Sequence, residues 1–554
     1  MAMSVAQPTS ELVSRHNYKS PFDKASEVMY PGFYSVFLDG PQVRAEMTAG
    51  GSHAGVHRYT FTEGKPMALL VDVCHHVIND DSVCTLPSIT ISSTILCVAA
   101  AAADPAHRHW RRRVHRVRPQ PRCSYGPQRQ GALIFFARRS PLTLLQGVDI
   151  WVHGRFENVT ELLGVGTWAD GVVSPNVLSA SGPQTPSLGG YFYFGEATST
   201  ANTLVLHVGL SFVDADAARR NLDAQLQGHS FDRIKENAYL HWADKLGSAV
   251  PHLAAPANTT INFYTALYRT FMSPTQYDEP DGRYLGLDEQ IHTVEAGHHY
   301  YSDLSLWDTF RTQNPWLVVV DPSVGLDVTR SLLLMLEQGG SLPRWCACVF
   351  VLYYAMITMF CYVIPMFLPC FSLLTIPHRP IANVYTSCMF GDSYNMIFLD
   401  TYIKGLTDFN LTQAYEGIRS AAMVEQEFDP RGHLDSYLQY GFVPSEEYEK
   451  SVSYTLAYAY NDWAIARFAE ILGRTEDIAI FDERAQAYRY HFNEENYFMC
   501  SRSIVRKDDN DSDDENDVAV HVHVHVHVHV TFHVHLIHLF ISCSCFMLLN
   551  VPFS

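Results

Sequence analysis

The hydrophobic pattern changes period near residue 230, and that switch constrains the fold more than any other feature of the chain. From Pro31 to about Gln225 apolar residues recur in short, partly alternating runs. PGFYSVFLDG ends in Asp39-Gly40, a hairpin-type turn, and VRAEMTA, GVHRYTF, MALLVDV, GYFYFGE and TLVLHVGLSFV are β-rich. Many short strands punctuated by Gly and Asp must lay two apolar faces together, which predicts an antiparallel β-sandwich. From Ser230 the spacing becomes helical. SFDRIKENAYLHWADKLG opens on an N-capping serine, sets Phe231, Ile234, Tyr239 and Trp242 along one face and closes on Gly247. INFYTALYRTF, VTRSLLLMLEQGG, LTQAYEGIRSAAM and SVSYTLAYAYNDWAIARFAEILG follow, a succession of amphipathic helices suited to a helical barrel or bundle. At 554 residues the chain is long enough for both parts to have a core.

Three stretches break these patterns. Between about Asp80 and Ser140 an alanine run precedes Arg108, Arg111, Arg112, Arg113, Arg116 and Arg118, with no apolar helical face, and this stretch is expected to pack poorly. Cys346 to Ile376 is uncharged and apolar, long enough by hydropathy alone to span a bilayer. Beyond Cys500 an acidic run from Asp508 to Asp517 leads into His521, His523, His525, His527 and His529 alternating with valine. Period two would line those imidazoles along one strand face, but a perfect dipeptide repeat with no acidic ligand among them reads as low-complexity sequence rather than a metal site.

The formal net charge of −19 argues against a nucleic-acid partner. Of 12 cysteines only Cys74, Cys388 and Cys500 lie outside the three atypical stretches, which specifies no disulfide framework. The N-terminus lacks an apolar core of the secretory type, so no signal peptide is visible and a cytoplasmic location is the default.

The residues with most chemistry lie in Tyr300 to Trp345, which gathers Trp307, Asp308, Arg311, Trp316, Arg344 and Trp345. An indole suits the apolar face of a sugar, while carboxylate and guanidinium groups suit its hydroxyls. On residue types alone a buried aromatic helix closed by an ion pair is an equal reading.

SDLSLWDTFRTQNPW followed by EQGGSLPRW resembles the signature of glycoside hydrolase family 92, the calcium-dependent exo-acting α-mannosidases. PGFYSVFLDG, GVHRYTF, GLSFVDADAARRNL, DGRYLGLDEQIH, IANVYTSCM, DTYIKG and TLAYAYNDW agree in order, so the resemblance covers most of residues 20 to 500. It implies an N-terminal antiparallel β-sandwich over 20–225, with about 80–140 an atypical insertion. An incomplete (α/α)6 helical barrel over 230–500 follows, interrupted by the apolar insertion 346–379, and then a low-complexity tail, 501–554. Closing Trp345 onto Pro380 restores the family-like LPRWPIANVYTSCM, so the apolar run is read as foreign to the fold and a membrane span as unexpected.

By the same resemblance Trp307, Asp308 and Arg344 hold a terminal mannose, Asp308 accepting hydroxyl hydrogen bonds and Arg344 donating a charged fork. The family's general acid is the glutamate of a TLEYAYDDW-like helix. Here that helix reads TLAYAYNDW, which puts Ala457 at the acid's position and Asn461 where another acidic residue stands. The general base and the calcium-associated motifs have no counterpart after Cys500. Ca²⁺ is therefore expected for the family with no ligands identifiable in this chain. The expectation is a glycosidase resembling inverting exo-α-mannosidases, taking terminal mannose from N-glycans or mannans and inactive as written. The rivals are a non-catalytic mannose-binding remnant and a membrane protein anchored by 346–376. The family is often extracytoplasmic, against the cytoplasmic default.

Overall fold

The computed structural model describes residues 2–3, 5–13, 18–74, 84–93, 133–140, 150–157, 159, 162–182, 184–185, 187–250, 256–343, 389–425 and 431–504. Among these the main strands form two antiparallel sheets. The smaller has the spatial order Ala2–Met3, Pro66–Asp72, Leu188–Glu196, Gly164–Ala169, Val172–Pro175. The larger runs Ser179–Ser181, Cys84–Ser93, Leu133–Ser140, Ile150–Glu157, Thr203–Ser211, Ala54–Phe61, Val43–Ala49, Phe33–Leu38, Val28–Tyr30. Leu69, Val165, Phe192 and Phe194 of the smaller sheet share one core with Val43, Tyr59, Phe61, Phe156, Leu204 and Leu206 of the larger, which is the expected sandwich.

One boundary is corrected. The two ends of the 80–140 stretch belong to the sandwich. Cys84–Ser93 and Leu133–Ser140 pair with each other in antiparallel register, and the second pairs on with Ile150–Glu157. CTLPSITISS and LIFFARRS carry the β-branched and aromatic residues that favour a half-buried strand, and Ile89 and Ile91 are buried. The alanine run and the arginines between them lie outside the described residues, as does the apolar run after Trp345.

After a short α1 (Ser10–Val13), the chain turns helical earlier than the periodicity suggests. Asp214 caps α2 (Ala215–Leu226), its carboxylate accepting from Ala217 N at 2.6 Å. This helix lies flat on the last sandwich strand because Gly209 has no side chain. A Cβ there would sit 2.2 Å from Ala218 O and 2.7 Å from Leu222 Cβ. The expected linker helix is α3 (Phe231–Gly247), with Ser230 Oγ accepting from Arg233 N. Phe231 and Ile234 are buried as the spacing predicts, but Tyr239 is exposed.

The helical part continues through α4 (Ala257–Thr270), α5 (Leu306–Thr309), α6 (Gln313–Val320), α7 (Pro322–Gly339), α8 (Tyr394–Ile403), α9 (Leu411–Met423), α10 (Leu434–Tyr440), α11 (Ser451–Leu472) and α12 (Thr475–Arg484). Its core joins Leu306, Leu332, Met335, Phe398, Tyr415, Ile465 and Phe468. It meets the sandwich where Phe212 stacks on Tyr277 at 4.7 Å and the Ser211 hydroxyl donates to the buried Glu279 carboxylate. Among the described residues no helix is long and apolar enough to cross a membrane.

Two measurements check this account. Gly209→Val should destabilise the protein by about 1–3 kcal/mol, because the added side chain meets helix backbone that cannot step aside. An unchanged urea midpoint would refute the close approach. His153 is buried in Ile150–Glu157, and burial, helped by Arg155, lowers its imidazole to about 4. The unfolded chain takes that proton near 6.5, so the stability that neutral His153 contributes is present above about pH 6.5 and lost as pH falls towards about 4. His153→Gln should flatten this part of the melting-temperature profile; an identical acid slope in both proteins would show that other groups govern it.

Candidate active site

The region around Ala457 is built on a buried ionic network. Arg431, with no exposed side-chain area, forks onto Asp392 through Nε–Oδ1 at 3.1 Å and Nη2–Oδ2 at 2.9 Å, and reaches Asp462 Oδ1 through Nη1 at 2.7 Å. Arg484, at the end of α12, donates to Asp462 Oδ2 at 2.9 Å, and the Tyr437 hydroxyl donates to the same oxygen at 3.0 Å. Burial opposes the charge on Arg431, but Asp392 and Asp462 outweigh it and hold the group well above the ordinary arginine range. Two arginines face two aspartates, so no net charge is buried.

The network fixes the turn Phe390-Gly391-Asp392 against α11. Asn461 donates from Nδ2 to Asp392 O at 3.1 Å and accepts from Asp392 N at 3.4 Å. A carboxylate could accept there but not donate, so the asparagine read as a lost acid is the residue type this turn needs. Gly391, at φ +84°, lies so close to the helix that a Cβ would meet Asn461 Oδ1 at 3.1 Å and Ala457 Cβ at 3.4 Å.

Phe390 carries the wall of the site. Trp307, on α5, meets it edge to face at 5.8 Å, and Tyr454 of α11 stacks on it at 4.8 Å. Asp308, next to Trp307, is exposed. The structure therefore brings Trp307 and the Ala457 turn to one feature, the Phe390-Gly391 turn, although 150 positions separate them. Arg344 lies outside the described residues. Phe390, Tyr454 and the Arg431 network escaped the sequence reading because their partners are distant along the chain; the visible signal was the NDW triplet, whose Asp462 is the common acceptor of both arginines.

A separate cavity of about 570 Å³ is lined by Glu295, His298, Arg330, Asp408 and Phe409, among others, and not by Trp307, Asp308 or Ala457. Its charged groups engage one another or close neighbours, His298 with Asp327 at 2.7 Å and Arg330 with Asp408 O at 2.9 Å. Among the described residues no three His, Cys, Asp or Glu side chains come together as a metal site would require. These residues alone do not fit a calcium ion, which takes six to eight oxygens.

The sequence matches the glycosyl hydrolase family 92 N-terminal domain over residues 2–211 and its catalytic domain over 217–351 and 373–534. This chain belongs to glycoside hydrolase family 92. The match is continuous across 80–140 and runs past Cys500, where the motif reading had the resemblance lapse; the gap at 352–372 falls inside the apolar run. Two solved structures share the fold. One is a family GH92 alpha-mannosidase from Bacteroides thetaiotaomicron, 23% identical, with a TM-score of 0.66 over 88% of this chain and 55% of its own, and solved also with mannoimidazole. Another, from the same organism, is a family GH92 inverting mannosidase, 20% identical, with a TM-score of 0.67 over 91% and 56%. An uncharacterized secreted glycosidase of Arthroderma benhamiae is 22% identical over 306 residues, 52% of this chain and 30% of that protein. The chain thus spans about half the length of the solved relatives.

Arg431→Met should cost about 3–5 kcal/mol, since it strands Asp392 without a cationic partner in a site closed to water. Equilibrium denaturation is the measurement, and a midpoint equal to that of the wild type would mean the network is not what holds the turn.

Proposed function

We propose that this chain recognises the terminal α-linked mannose of N-glycan-like or mannan chains and, as written, holds the sugar without hydrolysing it. The observation that carries this is Ala457. Its helix turn is packed against Gly391, beside the wall formed by Phe390 and Trp307, and the family resemblance puts the proton donor at this position, where a methyl group has no proton to give. Trp307 offers an indole to a sugar face and the exposed Asp308 offers oxygens to its hydroxyls.

Inverting hydrolysis uses two carboxyl groups about 6.5–9.5 Å apart, one giving a proton to the leaving oxygen and one activating water. Loss of general-acid help costs about 10²–10⁴-fold. The family resemblance is the reason to expect Ca²⁺. The mannosidase neighbours, one solved with mannoimidazole, support mannose as the sugar but are too distant to carry their activity to this chain. The apolar run 346–376, on which a membrane anchor would rest, lies outside the described residues.

The test is calorimetric titration with mannose alongside an assay of mannose release from an α-mannoside. Saturable binding is expected without release, and Ala457→Glu should remain inactive because one carboxyl cannot replace an acid and base that act on one transition state. Release by the wild-type chain would overturn the binding-only reading. Release by Ala457→Glu alone would show that the chain already contains a working base.

A further inference from the structure

The buried carboxyls Asp278, Asp392 and Asp462 are each supplied with two or more donors, and Glu279 is not. Asp392 and Asp462 face Arg431, and Asp278 accepts from Tyr300 N and from His299 Nδ1, each at 2.9 Å. Glu279 follows Asp278 and is 1% exposed. Its Oε1 accepts from the Ser211 hydroxyl, while Oε2 has no hydrogen-bond partner among the described residues. A charge with one oxygen bare in a closed site is costly to bury, and the neutral acid is far less so.

The backbone on both sides of this contact is fixed. Gly282 N donates to Glu279 O at 2.7 Å, closing the turn Glu279-Pro280-Asp281-Gly282, and Glu279 N donates to Arg283 O at 2.8 Å. Across the junction Ser211 Oγ accepts from Val213 N at 2.9 Å and Asp214 N at 3.2 Å, which leaves its own proton for Glu279. The charged and titratable groups around the carboxyl are Asp214 and Arg220 from the start of α2, His53 from the loop before Ala54–Phe61, and Asp278, Asp281 and Arg283 from its own segment. Arg283 gives its Nε hydrogen to Asp281 at 3.0 Å and stands 3.6 Å from Asp214, and Arg220 stands 3.9 Å from Asp281. Both cations are therefore engaged by aspartates. Burial raises the Glu279 carboxyl and Asp281 adds to it, against Ser211, Asn221 and Arg283. Burial also lowers the His53 imidazole, with Asp278 opposing.

Adhesion at this junction does not need the acid. Phe212 stacks on Tyr277 and packs into the core that also holds Tyr300 and Leu306, the residue before Trp307. The Arg283–Asp214 and Arg220–Asp281 pairs are partly exposed and add little. What Glu279 brings is a dependence on protons, placed where the last sandwich strand meets a turn that leads into the wall of the candidate site.

We propose that Glu279 is a proton-controlled latch between the sandwich and the helical half: the neutral acid seats the turn 279–282 against Ser211, and loss of its proton loosens that contact. The neutral carboxyl accepts from Ser211 through Oε1 and keeps its proton on Oε2. Releasing that proton to solvent leaves a buried negative charge beside Asp281, with Arg283 already engaged. The unfolded chain titrates this group near 4.5 and the folded chain higher, so the stability it contributes is fully present below about pH 4.5 and is lost as pH rises through the folded value. The direction is opposite to that of His153, whose contribution is lost as pH falls.

The experiment compares the full chain with its Glu279→Gln variant, in which an amide oxygen still accepts from Ser211 and no proton can be lost. The infrared difference spectrum of the two proteins should show a protonated-carboxyl band that persists above pH 4.5 and disappears at higher pH. As the band disappears, the wild-type melting temperature should fall relative to that of the variant. Hydrogen exchange, corrected for its intrinsic pH dependence, should quicken in the wild type over 209–214 and 275–284, by about tenfold for each pH unit that the carboxyl is raised. It should not quicken in the variant, nor in Gly164–Ala169 of the smaller sheet. A band that titrates at the ordinary carboxyl value, or the same pH slope of melting in both proteins, overturns the latch. Exchange that quickens equally in all strands overturns it too, since that is a loss of global stability and not the opening of one contact. If the variant does not fold, the wild type decides alone: exchange over 209–214 and 275–284 that stays constant from pH 4.5 to about pH 8 overturns the proposal.

Discussion

A guanidinium with no contact with solvent decides the layout of the helical half. Arg431 can stay charged in that position only because Asp392 and Asp462 reach it from two different segments, and Asp462 is itself shared with Arg484 and Tyr437. Each member would be costly to bury alone, so the four segments that carry them must arrive together. The geometry of the candidate site follows from this. Asp392 fixes the Gly391 turn, Asp462 fixes the register of α11, and Arg431 fixes the loop that ends in His433. A site assembled this way tolerates changes in the groups that face solvent more readily than changes in the groups behind them.

Much of the fold was legible because it is written in local periodicity. The sandwich strands alternate, Ser230 caps the helix it was expected to cap, and Phe231 and Ile234 face inward. The misses have physical causes. Helix α2 is short and charged, and its buried face sets Leu222 and Leu226 among Ala217, Ala218 and Asn221, so its inward face carries a weak apolar signal until Gly209 lets it lie against the sheet. Cys84–Ser93 and Leu133–Ser140 were overshadowed by the arginine-rich sequence between them, although their own composition is that of strands.

The candidate site was legible to a different degree. Trp307 and Asp308 stand in a motif long enough to be read from sequence, and Ala457 was visible as a departure within another. What could not be read was that a single turn, Phe390-Gly391, serves both. Asn461 shows the limit of motif comparison most clearly. The resemblance reads it as a missing acid, whereas in the structure it both gives and receives a hydrogen bond with the backbone of Asp392.

The position of Thr203–Ser211 in the larger sheet bears on how the chain is made. This strand lies between Ile150–Glu157 and Ala54–Phe61, joining two halves of the sheet that do not otherwise pair. It is also the last strand of the sandwich to leave the ribosome. At about 5–20 residues per second, roughly 8–30 s separate synthesis of residue 61 from that of residue 211, and throughout that interval Ala54–Phe61 has an open hydrogen-bonding edge. The sandwich is therefore completed by insertion at its centre rather than by growth at its rim. Its exposure to chaperones, or to the equivalent edge of a neighbouring nascent chain, is set by the rate of translation through residues 62 to 202.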